Sequence, residues 1–137
     1  MGWAVSLITV SACFAQEKKA TPSAAAKSAF EKNFPGAQAV KWEKEGADFE
    51  VNFKQGSTEM SAIIDAAGRL KETETTIANR ELPTTVTSYV AQHYKGRPIK
   101  EAAKIVKADG TVNYEAEVNK QDLVFDADGK FIKAAKD

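Results

Sequence analysis

The chain has 137 residues, which is enough for one modest domain or two very small ones, and its 43% hydrophobic content is ordinary for a globular protein. Nineteen basic residues balance nineteen acidic ones, so net charge gives no attraction to nucleic acid or to an anionic membrane surface. No basic stripe with interleaved aromatic residues occurs, and we expect no nucleic-acid partner.

The first fifteen residues carry no charge, and residues 3–10 are rich in apolar side chains. Small residues and then the polar run at residues 16–19 follow. The apolar stretch is shorter than the roughly 20 residues that cross a bilayer. It resembles the core of a secretory signal peptide, with cleavage after Ala15. We expect a periplasmic or secreted mature protein without a transmembrane segment.

A second interpretation concerns Cys13. Residues 10–13, Val-Ser-Ala-Cys, resemble a lipobox, in which Cys13 would carry a lipid anchor. A third is that the segment is a disordered tail on an intracellular protein. Cys13 is the only cysteine, so the remaining chain has no disulfide in either exported form. Its stability must then come from a hydrophobic core.

Beyond a short linker at residues 16–21, the sequence repeats itself. Pro22 and Pro83 each open a helical pattern, and Asp65 and Asp126 each open an Asp-x-x-Gly segment. The spacing between the two prolines equals that between the two aspartates. Matched elements in one order indicate an internal repeat. We predict tandem repeats at residues 22–79 and 80–137, forming one combined domain.

Each predicted repeat begins with an amphipathic helix, whose apolar residues recur at spacings of three and four. The two stripes are Ala26, Ala29, Phe30 and Phe34 in the first helix, and Leu82, Val86, Val90 and Tyr94 in the second. Thr21 is the expected N-cap of the first helix, with Pro22 at the first helical position. Gly36 and Gly96 are the expected stops.

The segments that follow each helix alternate between apolar and polar residues. Phe49, Val51 and Phe53 point to one side in the first repeat, as do Tyr114, Ala116 and Val118 in the second. This alternation predicts an antiparallel sheet with one dry and one wet face. Residues 71–76 are polar on both faces, which is typical of an edge strand, a bulged strand or a linker.

The helical stripes are the only apolar surfaces that can cover the dry faces. The predicted fold class is therefore α+β, with two tandem repeats, each a helix packed on a curled antiparallel sheet.

Several of these elements together resemble a known family. They are Trp42 on the first strand, the aromatic-x-Val-x-Phe strand at residues 49–53, the Asp-x-x-Gly segments, Leu82-Pro83, and Tyr114-Glu-Ala-Glu-Val. The chain resembles the PepSY-like, β-lactamase-inhibitor-like family of exported bacterial proteins over residues 22–134. Ile105 stands where a second tryptophan would map. The resemblance implies the β-lactamase-inhibitor-like fold, a periplasmic or surface address, no established enzymatic role, and a partner protein on the open sheet face.

Side chains that carry chemistry are few. His93 is the only histidine, and no second histidine or mature cysteine could complete a metal or base site with it. No serine lies in a Gly-x-Ser-x-Gly context. Residues 126–129, Asp-Ala-Asp-Gly, suggest calcium, but a calcium loop needs about twelve residues, so a hairpin turn is favoured. We expect core packing for Trp42, with a stacking site as the alternative, and no enzyme activity, metal or cofactor.

Polar side chains of the central strands share the face opposite the helices. They are Lys41, Glu43, Glu50, Asn52, Lys54, Glu115, Glu117 and Asn119. One interpretation is a solvated sheet face. The other is a mixed-charge docking surface, wide enough for an interface of roughly 800 Å² per partner.

We predict an exported, non-catalytic binding module, of the inhibitor type, that docks a protein of unknown identity on this face. The alternative is a structural or envelope-stress accessory protein without a discrete ligand.

Overall fold

The computed structural model describes residues 19–136. The predictions of a signal peptide at residues 1–15, of cleavage after Ala15 and of a lipid anchor at Cys13 lie outside these residues. The elements are α1 (Ala24–Asn33), β1 (Gln38–Glu45), β2 (Asp48–Gln55), β3 (Thr58–Asp65), β4 (Leu70–Ile77), a 3-10 turn (Asn79–Glu81), α2 (Thr84–His93), β5 (Glu101–Lys107), β6 (Val112–Val118), β7 (Gln121–Asp126) and β8 (Phe131–Lys136). Neither α-helix in this part of the chain has the length and apolarity to cross a membrane.

The strands form a single eight-stranded antiparallel sheet, ordered as in the chain from β1 to β8. The prediction of an α+β fold, with two repeats that each place a helix on a sheet of its own, is therefore wrong. Residues 19–136 are mostly β, with two α-helices and one sheet. The error lies at residues 71–76, which form β4 within the strand order. Backbone N–H and C=O groups pair along a strand whatever its side chains are, so polar side chains do not end a sheet.

Two compact units divide the described residues, the first ending at Glu74 and the second beginning at Thr75. The predicted boundary between residues 79 and 80 stays a prediction. In the first unit, the predicted stripe of α1 packs on the predicted dry face of the sheet. Its buried core consists of Ala26, Phe30, Phe49, Val51, Phe53, Ala62 and Ile64.

The second unit has a core of its own, built in the same way. The predicted stripe of α2 contributes Leu82, Val86 and Val90, with Tyr94 packed against them. The strands contribute Ala102, Ala116, Val118, Leu123 and Phe125. The predicted inward parity of Ala116 and Val118 is confirmed, since both are fully buried.

The helix starts differ in detail from the prediction. Ser23, not Thr21, is the N-cap of α1, because its Oγ accepts a hydrogen bond from the Ala26 N–H at 3.1 Å. The same hydroxyl donates to the Ala66 carbonyl at 2.8 Å. One side chain thus caps the helix and ties it to the turn after β3. Thr21 lies two residues before this cap.

The same tie occurs in the second unit. Thr85, in the first turn of α2, donates from Oγ1 to the Asp128 carbonyl at 3.0 Å. Asp128 belongs to the Asp-x-x-Gly turn between β7 and β8. Each unit therefore fixes the start of its helix to an Asp-x-x-Gly turn, in addition to burying the helix's apolar stripe.

Asp65 organises the turn after β3. Its Oδ1 accepts hydrogen bonds from the N–H groups of Ala67 and Arg69, and its Oδ2 pairs with Arg69 Nε at 2.8 Å. The pKa of Asp65 lies below its ordinary 3.8, chiefly because of the Arg69 backbone hydrogen bond. The Arg69 side chain and the Ala67 N–H lower it further, and burial opposes them.

We expect Asp65→Asn to be less stable than the wild type near neutral pH, because it loses the charge that strengthens the hydrogen bond from the Arg69 N–H and the ion pair with the Arg69 side chain. A carboxyl whose pKa is lowered by folding contributes stability above its unfolded pKa, and that contribution is lost as pH falls through the folded pKa. The difference between the two proteins should therefore vanish well below pH 3.8. Urea unfolding near neutral pH and well below pH 3.8 measures the difference in stability between the two proteins. A difference that does not depend on pH would contradict the interpretation that the charge of Asp65 stabilises this turn.

Candidate functional site

The eight side chains of the predicted polar face do not share one environment. Lys41 and Lys54 are exposed and Asn52 is half-buried. Four glutamates are buried: Glu43, Glu50, Glu115 and Glu117, with exposed fractions of 4%, 1%, 0% and 4%. Alternation along the strands does place these polar residues on one side of the sheet, but the four glutamates among them are not exposed to solvent.

In the first unit, the polar residues of β1, β2 and β3 stand directly across from one another. Glu43 is opposite Glu50, and Asn52 lies between Lys41 and Ser61. Asn52 Nδ2 donates to Glu43 Oε2 at 2.9 Å. This bond gives the buried Glu43 side chain a hydrogen-bond partner of the kind that a polar group inside a protein requires.

On β3 and β4 the same unit carries another buried polar pair. Ser61 Oγ donates to Glu74 Oε1 at 3.3 Å, and both residues are buried. Sequence reasoning missed both. The alternation of Ser61 with the buried Ala62 was the available signal, whereas nothing in the uniformly polar β4 separates Glu74 from its neighbours.

A row of acids crosses the second unit. Glu117 on β6 is opposite Glu101 on β5 and Asp122 on β7. Glu115 lies two residues before Glu117 on β6, opposite Ala103 and Val124. Asp122 is also buried, and its alternation with Leu123 would have indicated its face.

These buried acids have interaction partners. Glu43, Glu50, Glu115, Glu117 and Asp122 each take part in hydrogen-bonding or electrostatic interactions. Such interactions are required, because a buried carboxylate without compensation is costly. The prediction of solvent exposure is wrong for the four buried glutamates. Alternation separates the two faces of a sheet but does not determine how much of the second face is covered.

Asn119 does not lie on the face at all. It forms a two-residue turn with Lys120 between β6 and β7, where Val118 pairs with Gln121. Both turn residues have positive φ, at 53° and 64°. A tight hairpin of this type requires that conformation, and asparagine tolerates it better than most residues.

An ion pair lies near this face. Lys71 Nζ lies 2.8 Å from Asp48 Oδ2, and Asp48 stands two residues before Glu50 on β2. The hydrogen bond to Asp48, and then its charge, raise the pKa of Lys71 above its ordinary 10.5. The lysine is therefore charged at any physiological pH.

Trp42 and Val40 of β1 border an apolar pocket away from the buried acids, but they differ in burial. Trp42 packs edge-on to Phe30 and Phe49, with ring centroids 5.4 and 6.3 Å away, so its predicted core packing is confirmed. Val40, two residues before Trp42 on the same strand, is 41% exposed. A bulge between Gln38 and Lys41 separates them.

The other candidate side chains lie apart from the polar face. His93 is exposed, stacks on Tyr89 with ring centroids 4.0 Å apart, and has Nδ1 3.0 Å from the Tyr89 carbonyl oxygen. Asp126 Oδ1 accepts the N–H groups of Asp128 and Lys130, as expected for a turn. Within residues 19–136, no three histidine, cysteine or acidic side chains are grouped as metal ligands.

Solved structures with a similar fold come from Bacteroides. A putative periplasmic protein of Bacteroides eggerthii has a TM-score of 0.77 at 13% identity, covering 85% of this chain and 90% of its own. A BLIP-like protein of Bacteroides fragilis has a TM-score of 0.68 at 22% identity, with coverages of 85% and 87%. For a DUF2874 family protein of Bacteroides uniformis the TM-score is 0.74 at 18% identity, with coverages of 85% and 90%. At these identities the likeness shows the fold alone.

Among curated proteins, none matches the chain significantly. The family model for putative beta-lactamase-inhibitor-like, PepSY-like proteins matches residues 15–72 and again residues 64–133. These two matches cover most of the chain, and they confirm the resemblance inferred from Trp42, the alternating strands and the Asp-x-x-Gly segments. The chain therefore belongs to the putative beta-lactamase-inhibitor-like, PepSY-like family.

Proposed function

We propose that this protein is an exported, non-catalytic binding module of the bacterial periplasm, which docks a partner protein of the inhibitor-target type on its polar sheet face. Three observations support the proposal. They are the leader-like first fifteen residues, the beta-lactamase-inhibitor-like description of the family, and the fold shared with a putative periplasmic protein and a BLIP-like protein.

The observation that carries the proposal is the set of acids on the sheet face opposite the helices. Glu50 and Glu115 occupy central strand positions at 1% and 0% exposure. Replacing buried ionic groups with apolar residues of similar size is often neutral or stabilising. Stability alone therefore does not favour carboxylates at these positions. Because they are buried they do not touch a partner themselves, and we infer that they position the exposed Lys41 and Lys54 of the same face.

Within this arrangement the exposed residues make first contact. Lys54 projects from the end of β2 on the same face as Glu50 and Asn52, and it is exposed. The buried acids hold the strands in register through bonds such as that from Asn52 to Glu43. A partner approaching this face therefore contacts the exposed Lys54, whereas the buried acids lie beneath the surface.

Photo-crosslinking tests which surface is used. A photoreactive amino acid in place of Lys54 should crosslink to a periplasmic protein in living cells. The same substitution at Lys32, which is exposed on α1, should give no such product. Equal crosslinking from both positions, or crosslinking from Lys32 alone, would contradict docking on the sheet face.

A charge reversal then measures how much the Lys54 charge contributes to binding of the partner. We expect Lys54→Glu to lower the association rate of the captured partner by about tenfold at low salt, with little change in stability. The effect should shrink as salt screens the charges. Lys32→Glu is the matched control. Glu50→Lys is unsuitable, because a reversed charge at a buried position would unfold the unit.

The non-catalytic part of the proposal has its own test. His93 stacks on Tyr89 at the surface, and its Nδ1 lies against the Tyr89 carbonyl oxygen. We expect purified protein to hydrolyse neither peptide nor β-lactam substrates. An activity that is retained on repurification and lost in His93→Ala would overturn this expectation.

A further inference from the structure

The outer edge of β1 already accepts an extended backbone. β1 is the first strand of the sheet and pairs with β2 on one side only. On its other side, within residues 19–136, Lys19 forms an isolated antiparallel bridge with Glu43. The Ala20 N–H donates to the Trp42 carbonyl at 3.1 Å. The backbone groups of this edge are thus oriented to receive another strand.

Directly beside this bridge the strand is bulged. The register shifts between Gln38 and Lys41, and Ala39 has a φ of 54°. A residue with a side chain seldom adopts this left-handed conformation, and such outliers cluster at functional sites. Bulges at sheet edges redirect a side chain. Here the bulge turns Val40 outward, where it is 41% exposed.

The displaced Val40 forms the wall of a pocket between α1 and β1. The pocket has a volume of ≈300 Å³, and its apolar lining is Phe30, Phe34, Pro35, Val40 and Trp42. This volume is at the small end of the roughly 300–1,000 Å³ range of ligand pockets. It suits one anchoring side chain better than a whole organic ligand.

The rim of this region is mainly basic. Lys27 and Glu31 of α1 border the pocket. A second hollow of ≈500 Å³ on the other side of Val40 and Trp42 is bordered by Lys19 and Lys41. Three lysines against one glutamate favour an acidic occupant.

We propose that the outer edge of β1 binds an extended acidic peptide segment, which adds to the sheet as a strand and inserts one apolar side chain between Val40, Phe34 and Trp42. In this mode of recognition, backbone hydrogen bonds provide affinity and side-chain pockets provide specificity. The segment at Lys19 and Ala20 occupies part of the same edge, so it competes with the peptide. This site lies on the edge of the sheet, and it stands independently of docking on the sheet face.

The probe is a synthetic hexapeptide with acidic residues around a central leucine, and its counterpart has lysines in place of the acids. The readout is the fluorescence of Trp42 in a Trp3→Phe chain, since the sequence contains two tryptophans. We expect saturable binding of the acidic peptide and at least about tenfold weaker binding of the basic one. Equal binding of both peptides, or binding of neither, would overturn the proposal.

Two substitutions of exposed valines locate the site. Val40→Asn removes the apolar wall without adding charge and should weaken binding of the acidic peptide by about tenfold or more. Val106→Asn is the matched control, because Val106 is a strand valine of the second unit with 39% exposure. Equal losses in both variants would refute the location. Lys54→Glu should leave peptide binding unchanged, so this test and that of the sheet face can fail separately.

The segment at Lys19 and Ala20 should compete with the peptide for the edge of β1. A pocket with only a structural role would show no such competition. Ala20→Pro removes the N–H that donates to the Trp42 carbonyl. We expect the peptide to bind about two- to tenfold more tightly to this variant, which corresponds to one net backbone hydrogen bond. Unchanged or weaker binding would contradict competition at this edge. Sedimentation should show a constant mass, whereas dimerisation that is abolished by Val40→Asn would assign the edge to a second copy instead.

Discussion

Phe53→Ala should destabilise the first unit by about 3–5 kcal/mol, because truncating a buried phenylalanine loses apolar burial and leaves a cavity. Phe53 is 3% exposed. Its ring centroid lies 5.0 Å from that of Phe30 and 4.7 Å from that of Phe34. The substitution therefore removes the strand's contact with both α1 aromatics at once.

Denaturant unfolding of the Trp3→Phe chain, followed by the fluorescence of Trp42, measures this loss. Lys54→Ala is the matched control, since Lys54 is the exposed neighbour on the same strand and should change stability by under about 0.5 kcal/mol. Asn52 is a poorer control, because it donates to the buried Glu43 carboxylate. If Phe53→Ala and Lys54→Ala shifted the midpoint equally, the parity of β2 would be wrong.

Gly129→Ala should destabilise the second unit by about 2–3 kcal/mol. Gly129 has a φ of 84°, where a side chain costs roughly 1–2 kcal/mol. A methyl group here would also overlap Thr85 Oγ1 and lie 3.2 Å from Pro83 Cβ. It would displace the hydroxyl that donates to the Asp128 carbonyl, which adds the loss of one hydrogen bond.

The control for this prediction is another glycine with nearly the same backbone conformation. Gly110 has a φ of 89°, but nothing lies within 4 Å of an added methyl group. Gly110→Ala should therefore show only the conformational cost. A Thr85→Ala, Gly129→Ala double variant should lose less than the sum of the two single changes. Equal costs at Gly110 and Gly129 would indicate that the helix start does not pack tightly on the turn.

Local periodicity determined much of this protein from the sequence alone. The spacing of Phe30 and Val86 within their stripes predicted which face of each helix is buried, because a helix returns to the same side every three or four residues. The alternation around Val51 predicted strand parity for the same kind of reason. The Asp-x-x-Gly segments predicted turns, since aspartate bonds to nearby backbone groups and glycine accepts positive φ. Together with Trp42, these features identified the family.

Other features depend on which segments meet in space, and only the tertiary structure decided them. Whether β4 ends a sheet or continues it depends on backbone pairing, which the polar side chains of residues 71–76 do not reveal. Ser23 is the cap rather than Thr21 because its hydroxyl reaches both Ala26 and the distant Ala66.

Burial of the acids is a tertiary property of the same kind. Glu50 and Lys54 have the same parity on one strand, yet Glu50 is buried and Lys54 is exposed. The bulge that turns Val40 outward likewise could not be predicted, because residues 38–41 contain no glycine or proline. The sequence determined which residues face each other locally. What covers those faces, and where the edge of the sheet opens into a pocket, depended on contacts between residues far apart in the chain, which no local pattern encodes.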